Sequence, residues 1–408
     1  MSADHGMKFI AIADSDSYLK WAAAFLGALP GDTERELILI ETPVLPSGSQ
    51  REAALAVGGV PPEQLFSLPL AGVLDGVRRE LPDAVLIALR GPVAAVLIRM
   101  IAELPRRPVI VTGLPGISIP ATRKALAFRR QADLFVLHSR REVREFTLMS
   151  REYGWTHRFA LATLPFVEQR TGATGTDLVF AAQALVPPLI EDRMRVLELL
   201  IATARAQPDH RVVIKVRGLA GERQTHDEVA SYPDLLERVA DAPANLVVST
   251  APMSTALDAA QGVMTVSSTA AIEAIARGIP VIALDIFGVT PKLINPVFEG
   301  SGLFGDGEAV VRREFRHPEP DWLHDNYFHP VEDDEVAGQL EALVAARRQG
   351  VLPAREPARR VGGKLRLAWD RKRAFGDADR TVSGAVALAV GTPARATLIA
   401  ARRVKRSL

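Results

Sequence analysis

Apolar runs of strand length alternate with longer segments of helical periodicity through the first part of the chain. The strand-like runs are KFIAIAD, RELILIET, DAVLIAL, RPVIVTG and DLFVLHS, and the helical segments between them include SYLKWAAAFLGAL and GPVAAVLIRMIAEL. These strands are continuously apolar rather than alternating, so we expect them to be buried on both faces, as in a parallel sheet covered by helices. The pattern predicts a Rossmann-like α/β domain over residues 1–168.

The same pattern restarts after a segment of low apolar content at 167–176, which is typical of a linker between domains. The later strand-like runs are LVFAAQA, RVVIKVR, NLVVST, GVMTVSS and PVIALD, and DDEVAGQLEALVAARRQ is the last predicted helix. We therefore predict a second Rossmann-like domain over 177–348. Ligands bind at the carboxyl ends of strands in open parallel sheets, so the two domains should enclose a cleft lined by those ends.

Composition limits the kind of protein and the kinds of site that the chain can form. The 408 residues are 48% hydrophobic, which suits two domains with large cores. Cysteine is absent, which excludes disulfides, thiolate zinc sites and a cysteine nucleophile. The amino terminus has no basic region followed by a long apolar core, and no apolar stretch is long enough to span a bilayer. From these features we expect a cytoplasmic protein.

Charge is unevenly distributed along the chain. Residues 355–408 contain 14 Lys and Arg against 4 Asp and Glu, whereas the first 354 residues carry a net charge of −9. We therefore predict a basic tail over 349–408 on an acidic body. Trp369 and Phe375 are the only aromatic residues among these cations, which disfavours nucleic-acid binding. Docking on an anionic membrane surface is the favoured interpretation, and a disordered, solvated tail is the alternative.

The stretch VSSTAAIEAIARGIPVI places a hydroxyl cluster between a strand and a helix. The strand is predicted to end at Val266, Ser267 and Ser268 form a turn, and the helix begins near Thr269 and stops at Gly278. Hydroxyls at this position can cap the helix, or they can bind phosphate together with the free amides of the first turn. The residues alone leave both functions open.

The order of this segment resembles the nucleotide-binding segment of GT-B glycosyltransferases, in particular the bacterial sialyltransferase, polysialyltransferase and capsule Kdo-transferase group. The resemblance implies that Ser267, Ser268 and Thr269 contact the phosphate of a CMP-sugar and that Glu273 faces the nucleoside. It also implies transfer of a sugar, with a nonulosonic acid favoured, to a cell-surface glycan or glycolipid acceptor. CDP-glycerol glycerophosphotransferases share a similar segment, so the nucleotide stays open.

The chain departs from this group in one strand of the second domain. Those families have a His-Pro motif at the end of an earlier strand, whereas here the corresponding strand ends VVIKVRG, with Lys215 and Arg217. Residues two apart on a strand point to the same face, so both cations could reach a phosphate leaving group. Solvated cations at an exposed strand end are the alternative. Gln183 follows the first strand of this domain and could bind the donor or cap a turn.

Candidates for the catalytic base follow two strands of the first domain. Asp14 and Asp16 come directly after the first strand, where two close carboxylates could separate their pKa values and make one a base. His138, at the end of DLFVLHS, is the third candidate. All three residues also suit a purely structural function, such as capping of the next helix.

A loop after another strand, TGLPGIS, contains Gly113 and Gly116, which would let an acceptor or a phosphate approach the backbone closely. No Gly-x-Gly-x-x-Gly motif follows the first strand and no Gly-Lys-Ser/Thr loop is present, which disfavours a dehydrogenase and a P-loop nucleotidase. We expect no metal and no cofactor, with the nucleotide-sugar as substrate. The alternatives are a transferase using a UDP-sugar or CDP-glycerol, a nucleotide-sugar epimerase, and a non-catalytic two-domain ligand-binding protein.

Overall fold

A computed structural model describes residues 6–165, 175–216, 230–355 and 362–392. In these ranges the chain forms one parallel sheet of seven strands and a second parallel sheet of six, both accompanied by helices. The predicted fold of two tandem Rossmann-like domains is confirmed. The linker predicted over 167–176 lies almost entirely outside the described residues.

The first sheet has the strand order β3-β2-β1-β4-β5-β6-β7. The chain moves outward from β1 to β3 and then returns to the other side of β1 with β4, so the topological switch point lies between β1 and β4. The strands are β1 Lys8–Ala13, β2 Glu34–Ile40, β3 Leu65–Leu68, β4 Ala84–Ala88, β5 Val109–Gly113, β6 Leu134–Leu137 and β7 Phe159–Leu161.

Helices cover both faces of the first sheet, which explains its continuously apolar strands. On β1, Phe9 packs with the cluster that contains α1 and α2, whereas Ile10 packs with the cluster that contains α3 and α4. The helices are α1 Asp16–Gly27, α2 Gly48–Gly58, α3 Leu70–Glu80, α4 Gly91–Ala102, α5 Arg123–Phe128 and α6 Arg140–Glu152.

The second sheet has the order β10-β9-β8-β11-β12-β13, with its switch point between β8 and β11. Its strands are β8 Asp177–Ala181, β9 Val212–Lys215, β10 Leu246–Ser249, β11 Ala260–Thr265, β12 Val281–Leu284 and β13 Phe304–Gly305. Its helices are α7 Ile190–Ala206, α8 Tyr232–Leu236, α9 Met253–Asp258, α10 Ala270–Ala276, α11 Gly307–Val311 and α12 Pro320–Asp325.

After the second sheet the chain returns to the first domain. Helix α13, Val336–Arg348, buries Leu340, Leu343 and Val344 in the core beside α1, and α14, Gly363–Phe375, packs on α4 with Phe375 fully buried. The domain boundaries predicted from the sequence differ from this arrangement, because they assigned α13 to the second domain and residues 349–408 to a tail. An apolar stripe at helical spacing shows that a helix is buried, and it cannot show which sheet covers it.

Three strands were missed in the sequence because they are very short or lie at sheet edges. β3 is half exposed, β7 has three residues and β13 has two. None of them produces an apolar run long enough to be distinguished from a loop. Within the four described ranges, no helix combines the length and the apolarity needed to cross a membrane.

Candidate functional site

The switch point of the second sheet is built from Gln183, which follows β8, and Ser267, which follows β11. The Gln183 side-chain oxygen accepts hydrogen bonds from the Ser267 amide at 3.0 Å and from the Ser267 hydroxyl at 3.2 Å. Thr265 adds a second link, because its hydroxyl donates to the Ala181 carbonyl at 3.2 Å and accepts from the Ser268 amide at 3.0 Å. The ends of the two strands are therefore fixed to each other.

The hydroxyl cluster divides into residues with different functions. Ser267 is buried and its hydroxyl is used by Gln183, so its function is to hold the turn. Ser268 accepts from the Ala270 amide at 3.2 Å, which is the capping function, and keeps its own proton for a second hydrogen bond. Thr269, at the N-cap of α10, is half-buried and makes no side-chain capping bond. Glu273 lies half-buried in the first turn of the same helix.

Arg193, which sequence reasoning missed, holds the loop that contains Gln183 through hydrogen bonds to its backbone. Its buried guanidinium donates to the backbone carbonyls of Pro187 and Ala230, both at 3.0 Å, and to those of Gln183, at 3.2 Å, and Ala184. A buried arginine that satisfies several carbonyls fixes the path of the loop. The one signal in the sequence is an arginine on the inward side of the amphipathic helix α7.

The predicted pair of cations at the end of β9 is described only in part. Lys215 is buried rather than solvated, and its ammonium donates to the carbonyl of Val216. Arg217 lies outside the described residues. Binding of a phosphate group by Lys215 and Arg217 therefore stays a prediction.

The loop after β5 joins the first domain to the hydroxyl cluster of the second. A Cβ atom placed on Gly116 would lie 2.9 Å from the Thr269 hydroxyl oxygen, so the backbone of the loop is close to this side chain. Ile119, three residues further on, is buried in the core of the second domain with Ala270 and Ala271. The structure thus brings together two site elements that the sequence predicted separately.

Gly113, the other glycine of this loop, has a packing function instead of the predicted one. It is buried, and a Cβ atom here would lie 2.5 Å from the ring of Trp21 and 2.9 Å from the carbonyl oxygen of Val136. The close approach that glycine permits is therefore made by Trp21 and not by an acceptor. The prediction that Gly113 forms part of an acceptor loop is corrected on this ground.

The switch point of the first sheet holds a buried ion pair between Asp14, after β1, and Arg90, after β4. Asp14 has no solvent exposure and accepts from the Arg90 Nε at 2.8 Å and from the Arg90 amide at 3.2 Å. Another guanidinium nitrogen of Arg90 donates to the Thr42 hydroxyl at 3.1 Å. Burial raises the pKa of Asp14, and the charge of Arg90 opposes this shift. Asp14 cannot touch an acceptor from this position, and it instead orients Arg90, whose side chain is 26% exposed.

Asp16 occupies a different environment from Asp14, although only Ser15 separates them. Asp16 is the first residue of α1 and is half-buried, while the Ser15 hydroxyl donates to Asp14 at 3.3 Å instead of capping the helix. Of the two carboxylates, Asp16 is the one at the surface of the sheet edge, and it stays the predicted base. In the described ranges, no three His, Asp or Glu side chains are grouped so that they could hold a metal ion.

His138 is buried with both ring nitrogens in use. The Trp21 indole N–H, which can only donate, donates to Nε2 at 2.9 Å, so the proton lies on Nδ1 and is donated to the Ala162 carbonyl at 2.9 Å. Burial also lowers the pKa of His138 and favours the neutral ring. No ring nitrogen is left to take a proton from an acceptor, so the prediction that His138 is a base is corrected to a structural function.

Glu142 connects the two domains, and sequence reasoning missed it. Its buried carboxylate accepts from the amides of Ser118 and His138, both at 2.9 Å, and from the hydroxyl of Tyr327 at 2.6 Å. Ser118 belongs to the loop after β5, and Tyr327 follows α12 of the second domain. The only local signal is the Ser139-x-x-Glu142 spacing of a helix start, which indicates a cap and not a link between domains.

Two Rossmann-like domains in tandem, with polar residues at the switch point of each sheet, form the architecture of GT-B proteins, which other two-domain ligand-binding proteins share. The chain belongs to the family described as "Putative glycosyltransferase (DUF6716)", whose family model matches residues 9–343. The expected glycosyltransferase class is thus confirmed at the level of family and fold. Among curated proteins, no sequence match is found.

Solved structures agree with this fold at low sequence identity. A putative UDP-N-acetylglucosamine 2-epimerase from Listeria monocytogenes is 13% identical with a TM-score of 0.54, covering 85% of this chain and 96% of its own. Complexed with UDP, S. aureus MnaA is 11% identical with a TM-score of 0.53, covering 86% and 99%. Anabaena Alr3699/HepE with UDP-glucose is 13% identical with a TM-score of 0.50, covering 84% and 100%. These similarities establish the two-domain fold.

Proposed function

We propose that this protein transfers a sugar from a nucleotide-sugar to an acceptor hydroxyl in the cleft between its two domains. The observation that carries the proposal is the contact of Gly116 with Thr269, which puts a loop from the carboxyl edge of the first sheet beside the hydroxyl cluster of the second. Ligands of open parallel sheets bind at such edges. The family description, a glycosyltransferase, supports the same conclusion.

The donor would bind to the second domain. Ser268 has a hydroxyl proton available, Thr269 makes no capping bond, and Gln183 holds the turn that presents them. The serine-rich motif favours a CMP-linked nonulosonic acid as the donor. UDP-sugars are the second candidate, because UDP and UDP-glucose occupy two solved structures of the same fold.

The transfer itself needs a base and stabilisation of a leaving group. The acceptor oxygen would attack the anomeric carbon and pass its proton to Asp16, while the bond from that carbon to the nucleotide phosphate breaks and its electron pair leaves with the phosphate. Ser268 and Lys215 would stabilise the charge of the departing phosphate. One such displacement inverts the anomeric centre, and it requires neither a metal nor an organic cofactor.

The acceptor would bind to the first domain, at Arg90. Asp14 and Thr42 hold two guanidinium nitrogens of Arg90 by hydrogen bonds, so the partly exposed remainder is presented in a fixed orientation. We propose a cell-surface glycan or a glycolipid as the acceptor. A lipid-linked acceptor would place the protein at the inner face of a membrane, with the basic carboxyl-terminal region facing anionic lipid.

Calorimetric titration of the full chain with CMP, CDP, UDP, UMP, GDP and NAD tests the donor site. Selective binding of CMP supports the nonulosonic donor, and selective binding of UDP keeps the transferase and replaces the donor. Binding of none of the nucleotides contradicts the proposal. Turnover of a nucleotide-sugar without an acceptor would favour an epimerase, an activity named for the Listeria structure.

Variants separate the two sides of the cleft. Gln183→Glu keeps an oxygen that can accept from Ser267 but adds a negative charge, so we expect nucleotide affinity to fall at least about tenfold with little loss of stability. Asp16→Asn should retain nucleotide affinity and lose turnover. The matched control is Ser254→Ala on the exposed side of α9. Equal loss of binding in Gln183→Glu and Asp16→Asn would contradict the assignment of donor and acceptor sides.

A further inference from the structure

The last described segment of the chain is a helix over residues 382–392 with an unusual surface. Its sequence, VSGAVALAVGT, contains no charged residue. One side packs on α14, where Ala387 is fully buried with Ala368 and Trp369. The opposite side is apolar and exposed, with residue exposures of 79% for Val382, 52% for Val386 and 54% for Val390.

A helix on the surface of a globular protein normally presents polar side chains to water. Val382, Val386 and Val390 instead follow one another at intervals of four residues, so they form one continuous stripe along the helix. Leu388 and two alanines, Ala385 and Ala389, extend this apolar exposed surface around the helix. A contiguous apolar patch of this kind is typical of a docking surface. We call it the valine face.

Cations lie close to the helix that carries the valine face. Gly391 approaches the Trp369 ring, where a Cβ would lie 2.4 Å from it, and the guanidinium groups of Arg366 and Arg373 lie 4.7 and 5.1 Å from the centre of the same ring. Both arginines therefore lie near the side of the helix that packs on α14. In the sequence, the sixteen residues that follow position 392 contain five cations and no acidic residue.

We propose that the valine face is the apolar part of a membrane-docking surface that binds anionic lipid. Apolar side chains enter the boundary between headgroups and acyl chains, and Lys and Arg around them bind the negative headgroups. Charge argues against a second copy of the chain as the occupant, because two copies joined by this face would bring two sets of cations together. This inference rests on the proposed function, because a lipid-linked acceptor gives the protein a reason to dock on a membrane. Nucleotide titration tests the proposed function separately.

Vesicle co-sedimentation of the full chain tests the proposal. We expect binding to phosphatidylcholine vesicles that contain about 30% phosphatidylglycerol, weak binding to phosphatidylcholine alone, and a decrease as salt screens the headgroup charges. The triple variant Val382→Ser, Val386→Ser, Val390→Ser should lower the partition coefficient at least about tenfold, because three apolar side chains lose the benefit of transfer from water. Its charge is unchanged, so the loss would identify the apolar contribution.

The matched control is the triple variant of other exposed valines, Val57→Ser, Val331→Ser and Val351→Ser, which should bind like the unaltered chain. Equal binding by the two triple variants, equal binding to both kinds of vesicle, or no binding at all would overturn the proposal. So would a dimer of the unaltered chain in light scattering that the valine-face variant abolishes. Nucleotide affinity should be equal in all these proteins, so failure of docking and failure of the donor site are distinguishable.

Discussion

Asp14, His138 and Glu142 bring ionisable side chains into the interior of the first domain, and each side chain has hydrogen-bond partners there. Asp14 is paired with Arg90, neutral His138 lies between Trp21 and a carbonyl, and Glu142 accepts three hydrogen bonds. Buried polar groups persist only when they are satisfied in this way. Because they are buried and already hydrogen-bonded, Asp14 and His138 cannot act directly on an acceptor. Arg90 and Asp16 lie at the surface of the sheet edge.

The environment of His138 predicts a loss of stability in mild acid. The folded-state pKa of His138 lies below the ordinary value of 6.5, because burial disfavours the charged ring. The unfolded chain therefore binds more protons as the pH falls below about 6.5, and the stabilisation from the neutral ring is lost as the pH passes through the folded-state pKa. Protonation would also put a second N–H against the Trp21 N–H. We expect the free energy of unfolding to fall by up to about 1.4 kcal/mol per pH unit from this residue.

Urea unfolding between pH 7.5 and 5 measures this effect. The variant His138→Gln keeps an acceptor for Trp21 and a donor for Ala162, so it should show a shallower dependence on pH than the unaltered chain. His317→Gln, at an exposed position, is the control and should leave the slope unchanged. Equal slopes for all three proteins would contradict the assigned function of His138.

At the scale of elements, the loop after β5 is the feature that joins the two halves of the site. It follows Gly113, the last residue of β5, which packs against Trp21. Gly116 then lies beside Thr269, and Ile119 is buried in the core of the second domain. The sequence predicted that an acceptor or a phosphate would approach both glycines, whereas in the structure Trp21 approaches Gly113 and Thr269 approaches Gly116. The approaching residues belong to segments distant in sequence, since Trp21 lies on α1 and Thr269 lies at the start of α10.

Substitution of the two glycines by alanine should give different results. In Gly113→Ala the new Cβ meets the Trp21 ring and a backbone carbonyl, so we expect a loss of about 1–3 kcal/mol in the free energy of unfolding. In Gly116→Ala it meets the Thr269 hydroxyl, which can move at small cost, so we expect near-normal stability and a several-fold loss of nucleotide affinity. Thermal unfolding and calorimetric titration measure the two quantities.

Gly76→Ala is the control for both substitutions, because the space around its Cβ is empty. It should retain stability and nucleotide affinity. If Gly116→Ala binds nucleotide as tightly as Gly76→Ala, Thr269 does not take part in donor binding. If Gly113→Ala is as stable as Gly76→Ala, the core around Trp21 is less tightly packed than the structure shows.

At the scale of the whole molecule, the two domains are joined by buried and exposed polar contacts of very different kinds. Tyr327 donates to the buried Glu142, whereas Arg144 pairs with Asp325 at 2.6 Å between partly exposed side chains. Exposed pairs contribute little because water competes with them. A hydrogen bond to a buried carboxylate contributes more, so Glu142 should be the main polar link between the domains.

The variants Tyr327→Phe and Arg144→Gln test this ranking. We expect Tyr327→Phe to lower the free energy of unfolding by about 1.5–3 kcal/mol, since a buried charged acceptor loses a donor. Arg144→Gln should change it by less than about 1 kcal/mol. Urea unfolding measures both, and Tyr153→Phe at an exposed ring is the control for removal of a hydroxyl. The reverse ranking would contradict the dominant link through Glu142.

The amino-acid sequence by itself determined the two parallel sheets, the succession of their main strands along the chain and the strand ends where polar residues collect. These follow from local properties, namely continuous apolar runs, helical periodicity and the residues that end each element. It also singled out Gln183 at a strand end and, through the resemblance, Ser267, Ser268 and Thr269 as candidate donor-binding residues. The structure places Gln183 against Ser267, and nucleotide binding stays a prediction. The short strands β3, β7 and β13 carried too little of this signal to be found.

Only the tertiary structure decided which polar residues are buried and which side of the molecule each late helix covers. Asp14 and Asp16 are two positions apart, yet Asp14 is buried and paired with Arg90, which follows β4, whereas Asp16 lies at the surface. Likewise, α13 and α14 return to the first domain although they follow the second in sequence. The physical reason is that burial and pairing depend on contacts between distant segments, and a local pattern of residues does not contain them.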